Sequence, residues 1–92
     1  MQARKVGQMK IILKDIEKFH ELLLRKGFTR RELGRQAGIS EVYAQQIANG
    51  DRNPGAKVAR RICESLTVEF DDIFFIFDAH KSKQKDKNIV AR

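Results

Sequence analysis

The sequence predicts an all-α domain of five short helices. Three observations carry that expectation. Apolar residues after Asp15 recur at spacings of three and four rather than two. The stretch from Thr29 to Pro54 divides into two short helical segments about Gly38. Helix starts and stops are punctuated by Asp15, Thr29, Ser40 and Asn53 and by Gly27, Gly38 and Gly50. A short two-stranded sheet from the segments near 9–13 and 74–78 is an open addition to this plan. Residues 1–8 lack an apolar period and are expected as a flexible basic arm, residues 9–78 as the folded domain, and residues 79–92 as a charged, disordered tail.

Met9–Leu13 is a short isoleucine-rich run that reads either as a strand or as the lead into the first helix. The first helix starts at a cap on Asp15, carries Ile16, Phe19, Leu22 and Leu23 on one side, and ends at Gly27. Thr29-Arg30-Arg31-Glu32 is a capping box that opens the second helix, with Leu33 and Ala37 facing inward. Gly38 makes the turn, Ile39 plugs the corner and Ser40 caps the third helix, whose inward residues are Ala44 and Ile47. Gly50 stops it. Asp51-Arg52-Asn53 is a loop, and Pro54 is expected at the first position of the fourth helix with Asn53 as its cap. That helix carries Ala59, Ile62, Cys63 and Leu66 on one face. A fifth helix is expected near Glu69–Phe75, with Asp71 and Asp72 in its first turn where the helix dipole favours them. The run Phe74-Phe75-Ile76-Phe77 is β-preferring; nothing local sets the register of a pairing with Met9–Leu13.

Ninety-two residues make one domain with a modest core, and leave no room for a separate protease or sensor domain. The lone cysteine, Cys63, forms no internal disulfide and lies on an apolar stripe, so it reads as core in a reducing cytoplasm. No apolar run has the length of a membrane span or of a signal-peptide core. The net charge of +7 is unevenly spread: +6 over residues 25–61 and −5 over residues 62–78. A polyanion-facing surface backed by an acidic far side produces such a separation. His20 and His80 are too isolated for a metal site, and no phosphate loop, dinucleotide fingerprint or zinc spacing is present. No cofactor, metal or enzymatic activity is expected.

The turn needs a residue tolerant of positive φ at Gly38, a very small residue where the second and third helices touch, at Gly34, and apolar plugs at Leu33, Ile39 and Ile47. These offsets, with Asn49-Gly50 after the third helix, the Asn-Pro pair at 53–54 and Asp72-Ile73-Phe74, resemble the helix-turn-helix of the lambda-repressor-like (Cro/C1-type, XRE) DNA-binding family. The resemblance spans roughly residues 12–75. Two positions depart from the family pattern: Gly34 replaces the usual Ala, and Ala44 is smaller than the usual Val or Ile.

With Ala44 and Ile47 inward, Glu41, Val42, Gln45 and Gln46 point outward, and the resemblance maps base-reading positions onto these four. Gln can hold adenine by a bidentate pair, a Val methyl can touch a thymine methyl, and Glu can accept from a cytosine amino group. The plainer reading is a solvated helix face with Glu41 favouring the N-terminus. Phosphate contacts are expected from Arg30 at a helix N-terminus, from Asn49, Arg52 and Asn53 around the loop, and from the Tyr43 hydroxyl, whose plainer role is a half-buried prop. Lys57 and Arg60 add charge. The apolar end offers Phe70, Phe74, Phe75 and Phe77 as a homodimer contact, which implies a palindromic operator with half-sites about 34 Å apart. The expected function is a cytoplasmic, sequence-specific double-stranded DNA-binding regulator, in the family's style a repressor. A DNA-binding antitoxin or other partner-binding module is the alternative, and a non-specific nucleic-acid binder a third reading.

Overall fold

The structure, a computed structural model, describes residues 9–78. The arm expected over residues 1–8 and the tail over 79–92 lie outside the described residues. Strand β1 (Met9–Leu13) leads into α1 (Ile16–Lys26), α2 (Arg30–Ala37), α3 (Glu41–Ala48), α4 (Ala56–Leu66), α5 (Phe70–Ile73) and β2 (Phe74–Asp78).

The caps read from the sequence form as expected at three helices. Asp15 accepts from the Lys18 amide at 3.0 Å, Thr29 from Glu32 at 3.0 Å, and Ser40 from Tyr43 at 3.0 Å. The box at Thr29 is only half formed. The Glu32 carboxylate turns along the helix and accepts from Arg35 Nε at 3.1 Å and Gln36 Nε2 at 2.8 Å. The Arg35 hydrogen bond, then that of Gln36, holds the Glu32 carboxyl below its ordinary range. The reciprocal contact appears instead at α5, where the Asp72 carboxylate accepts from the Glu69 amide at 2.9 Å.

Two expected boundaries shift. Helix α4 begins at Ala56 with Gly55, not Asn53, as its cap, and Pro54 precedes it. The Pro54 ring is buried, bordering a crevice with Leu13, Ile16 and Ile47, so it serves as packing rather than as a helix start. Helix α5 ends at Ile73, and Phe74 and Phe75 belong to β2. The two segments left open do pair. β1 and β2 run antiparallel with Met9 opposite Asp78, Ile11 opposite Ile76 and Leu13 opposite Phe74. Leu13 and Phe74 are buried, and the Lys14 amide donates to the Ile73 carbonyl at 2.9 Å, which fastens the inner end of the ribbon.

The core is a single cluster that includes Phe19, Leu23, Leu33, Ala37, Ala44, Ile47, Ala59, Ile62, Leu66 and Phe74. Cys63 belongs to it. Burial pushes its thiol up, and the carboxylates of Asp72, Glu69 and Glu64 push it further. Such a thiol packs and does not react. Helix α4 ends at Thr67 with φ 58°, a left-handed conformation that is uncommon for a β-branched residue.

Candidate nucleic-acid interface

The site is built on the contact between α2 and α3. At Gly34 a Cβ would lie 2.9 Å from the Ile39 carbonyl oxygen and 3.0 Å from that of Ser40, both backbone atoms of the turn. The glycine that departs from the family pattern therefore permits a closer approach than alanine would. Gly38 takes φ 75°, and its amide and that of Ile39 return to the last carbonyls of α2, Arg35 and Gly34. Ala37, Ala44 and Ile47 are fully buried at this junction, so α3 has one orientation on the body.

That orientation decides what α3 displays. Glu41, Val42 and Gln45 are exposed, Val42 at 67%, and Gln46 is half-buried beside them. An apolar side chain this open on a helix otherwise packed on alanines has no partner within the body. All four expected base-reading residues lie on this face. Asn49, Arg52 and Asn53 are exposed just beyond its C-terminal end. Tyr43 is half-buried, and the Arg52 guanidinium sits 4.8 Å from its ring centroid. Arg52 Nη1 also reaches Gln46 Oε1 at 3.5 Å, and the Gln46 carbonyl accepts from the amides of Asp51 at 2.8 Å and Arg52 at 3.2 Å. Tyr43, Gln46 and Arg52 thus form one cluster, joining an expected base reader to an expected phosphate contact.

At the other side of the groove Arg30 opens α2. Its Nη2 lies 3.3 Å from His20 Nε2, and its Nε is buried without a hydrogen-bond partner among the described residues. The same His20 nitrogen lies 2.9 Å from the Ala48 carbonyl at the end of α3. One ring nitrogen either donates or accepts, so it serves the carbonyl or the guanidinium but not both. The shorter contact favours donation to Ala48. His20 thereby ties α1 to the last turn of α3 and abuts Arg30. Sequence reading set His20 aside as isolated. Its one signal was its place between Phe19 and Leu23, on the edge of the buried side of α1.

Of the four phenylalanines expected at a dimer contact, Phe74 is removed by the structure. It is fully buried in the core, because strand alternation turns it inward beside Leu13. Phe70 is half-buried, its ring centroid 5.4 Å from that of Phe74. Phe75 and Phe77 are 39% and 38% exposed on one face of the ribbon, and Ile76 is 56% exposed on the other. Among the described residues no helix is long and apolar enough to cross a membrane.

Comparison with known proteins agrees with this geometry. A family model described as helix-turn-helix matches residues 19–73. The chain is 35% identical over 65 residues to an uncharacterized HTH-type transcriptional regulator of Bacillus subtilis (strain 168), YqaF, with 71% of this chain and 84% of that protein covered. It is 29% identical over 59 residues to a second from the same organism, YgzD, with 64% of this chain and 89% of that protein covered. Among solved structures, the clp gene regulator ClgR from Corynebacterium glutamicum shares the fold. The TM-score is 0.57 at 21% identity, covering 62% of this chain and 61% of that one. The junction at Gly34 and Gly38, the caps at Thr29 and Ser40 and the matched span together place this chain in the Cro/C1-type (XRE) family of helix-turn-helix DNA-binding proteins.

Proposed function

We infer that the protein is a sequence-specific, double-stranded DNA-binding transcriptional regulator of the cytoplasm, acting as a repressor, which binds and catalyses nothing. The observation that carries this reading is the outer face of α3, where Val42 stands 67% exposed between Glu41 and Gln45, beside Gln46, on a helix immobilised by its buried face. In the major groove the amides of Gln45 and Gln46 hold adenine edges, Val42 touches a thymine methyl and Glu41 accepts from cytosine. Arg30, Tyr43, Asn49, Arg52 and Asn53 hold the flanking phosphates and set register. The unpaired Arg30 Nε supports this role: a phosphate that draws the guanidinium outward relieves it and leaves His20 free to donate to Ala48.

Two copies joined through Phe75 and Phe77 present two such helices to one face of a palindromic duplex with half-sites about 34 Å apart. The same exposed ribbon is where a toxin or other protein partner would bind under the alternative reading. Selection of bound duplexes from a random pool, with the mass of the complex measured by sedimentation, tests both. The account expects an inverted repeat bound by two chains. A single chain on an asymmetric site would overturn the homodimer, and absence of any preferred sequence would overturn the regulator.

A further inference from the structure

Beyond α3, the positive charge of this chain is distributed in a way the helix-turn-helix does not explain. Of the net charge of +7, residues 1–8 hold +2 and residues 79–92 hold +4, so residues 9–78 keep only +1. A body so nearly neutral contributes little long-range attraction to a polyanion, whatever its local basic patch. Nearly all of the excess is carried by the two terminal segments, through Arg4 and Lys5 on one side and the alternating lysines Lys81, Lys83, Lys85 and Lys87 on the other.

The ribbon brings both segments to one point. Its last pair is Met9 opposite Asp78, so the chain enters and leaves the described body side by side, about 5 Å apart. This end of the ribbon faces the loop after α3: Met9, Lys10 and Ile76 line one side of a cleft, and Arg52 and Asn53 line the other. Arg52 and Asn53 are the expected phosphate contacts at the edge of the recognition surface. The acidic residues Asp71 and Asp72 lie beyond the opposite end of β2, which is about 13 Å away at the rise of a strand.

We propose that the ribbon delivers the two basic terminal segments to the phosphates flanking the operator, making a second, sequence-independent contact with duplex DNA. The inference rests on the DNA-binding reading above. Helix α3 supplies selectivity, and the terminal segments supply most of the salt-dependent affinity. The fold thus separates the two functions by placing them at opposite sides of the Asp51–Asn53 loop.

The test uses the full-length chain with Lys81, Lys83, Lys85 and Lys87 all changed to Gln, and a second variant with Arg4→Gln and Lys5→Gln. The probe is a duplex selected from a random pool, with one helical turn of flank on each side, and the same duplex with its flanks trimmed. The dependence of log Kd on log salt should flatten by about 3 units in the lysine variant and by about 1–2 in the second. Over a roughly fourfold rise in salt the unaltered chain should lose on the order of 10²-fold more affinity than the lysine variant. Trimming the flanks should reproduce this flattening, and the preference over random duplex should persist in both variants. An unchanged slope with selective binding intact would overturn this inference alone. Tighter binding by the lysine variant, with a lowered melting temperature, would mean that the lysines rest on the protein's own acidic residues, and would also overturn it. Failure of the unaltered chain to select any duplex would overturn the DNA-binding reading and this inference with it.

Discussion

The α2–α3 junction and the β1–β2 ribbon are built on opposite principles. At the junction every inward residue is small or fully buried, and every outward residue is polar apart from Val42. At the ribbon only the inner pair, Leu13 and Phe74, is buried, while Met9, Phe75, Ile76 and Phe77 stay open. The first arrangement fixes one geometry and displays groups able to read a base edge. The second leaves apolar surface available and orders little beyond the meeting of the two ends of the domain. A surface that must recognise is held rigid, and one that must associate is left unsatisfied.

The largest effects should come from the buried pair and its exposed neighbour. Phe74→Ala should destabilise the monomer by about 3–5 kcal/mol, as expected for an aromatic lost from a core. Phe77→Ser, three residues along the same strand, should change monomer stability by under about 1 kcal/mol and instead weaken association measured by sedimentation. If Phe77→Ser unfolded the monomer as Phe74→Ala does, the ribbon would be core throughout and the contrast would fail.

The junction can be strained without removing anything. Gly34→Ala adds a Cβ against two backbone carbonyls that have no rotamer to yield, so α3 must shift. Chemical denaturation should register about 1–3 kcal/mol of destabilisation, and operator affinity should fall with it. A variant as stable and as active as the original would show that the close approach is not needed.

This contrast also explains how much could be read from the sequence. Thr29, Ser40, Gly34 and Gly38 act on neighbours within a few residues, so residue type and spacing were enough to assign them. Pairing of Met9–Leu13 with Phe74–Asp78 joins segments more than sixty residues apart, and both had been left open as strands without a register. His20 was missed for the same reason, since its partners are 28 and 10 residues away. Asn53-Pro54 misled because a proline after asparagine normally opens a helix, whereas here burial of the ring decides its place. Glu32 was assigned to a reciprocal box, but Arg35 and Gln36 on the same helix compete for its carboxylate.

The smallest expected effect lies away from both regions. Thr67 ends α4 with positive φ, and Thr67→Gly should remove that strain and raise stability by roughly 1 kcal/mol, seen as a higher melting temperature. A lower melting temperature would mean that the threonine makes contacts worth more than its strain.

The claim on which the rest depends is that α3 reads base edges. Random-pool selection with the original protein and with Gln46→Ala measures this directly. The account predicts a defined site for the original, and for the variant the same site with preference relaxed at one base pair in each half, by about 1–3 kcal/mol. Identical selected sites for both proteins would contradict it.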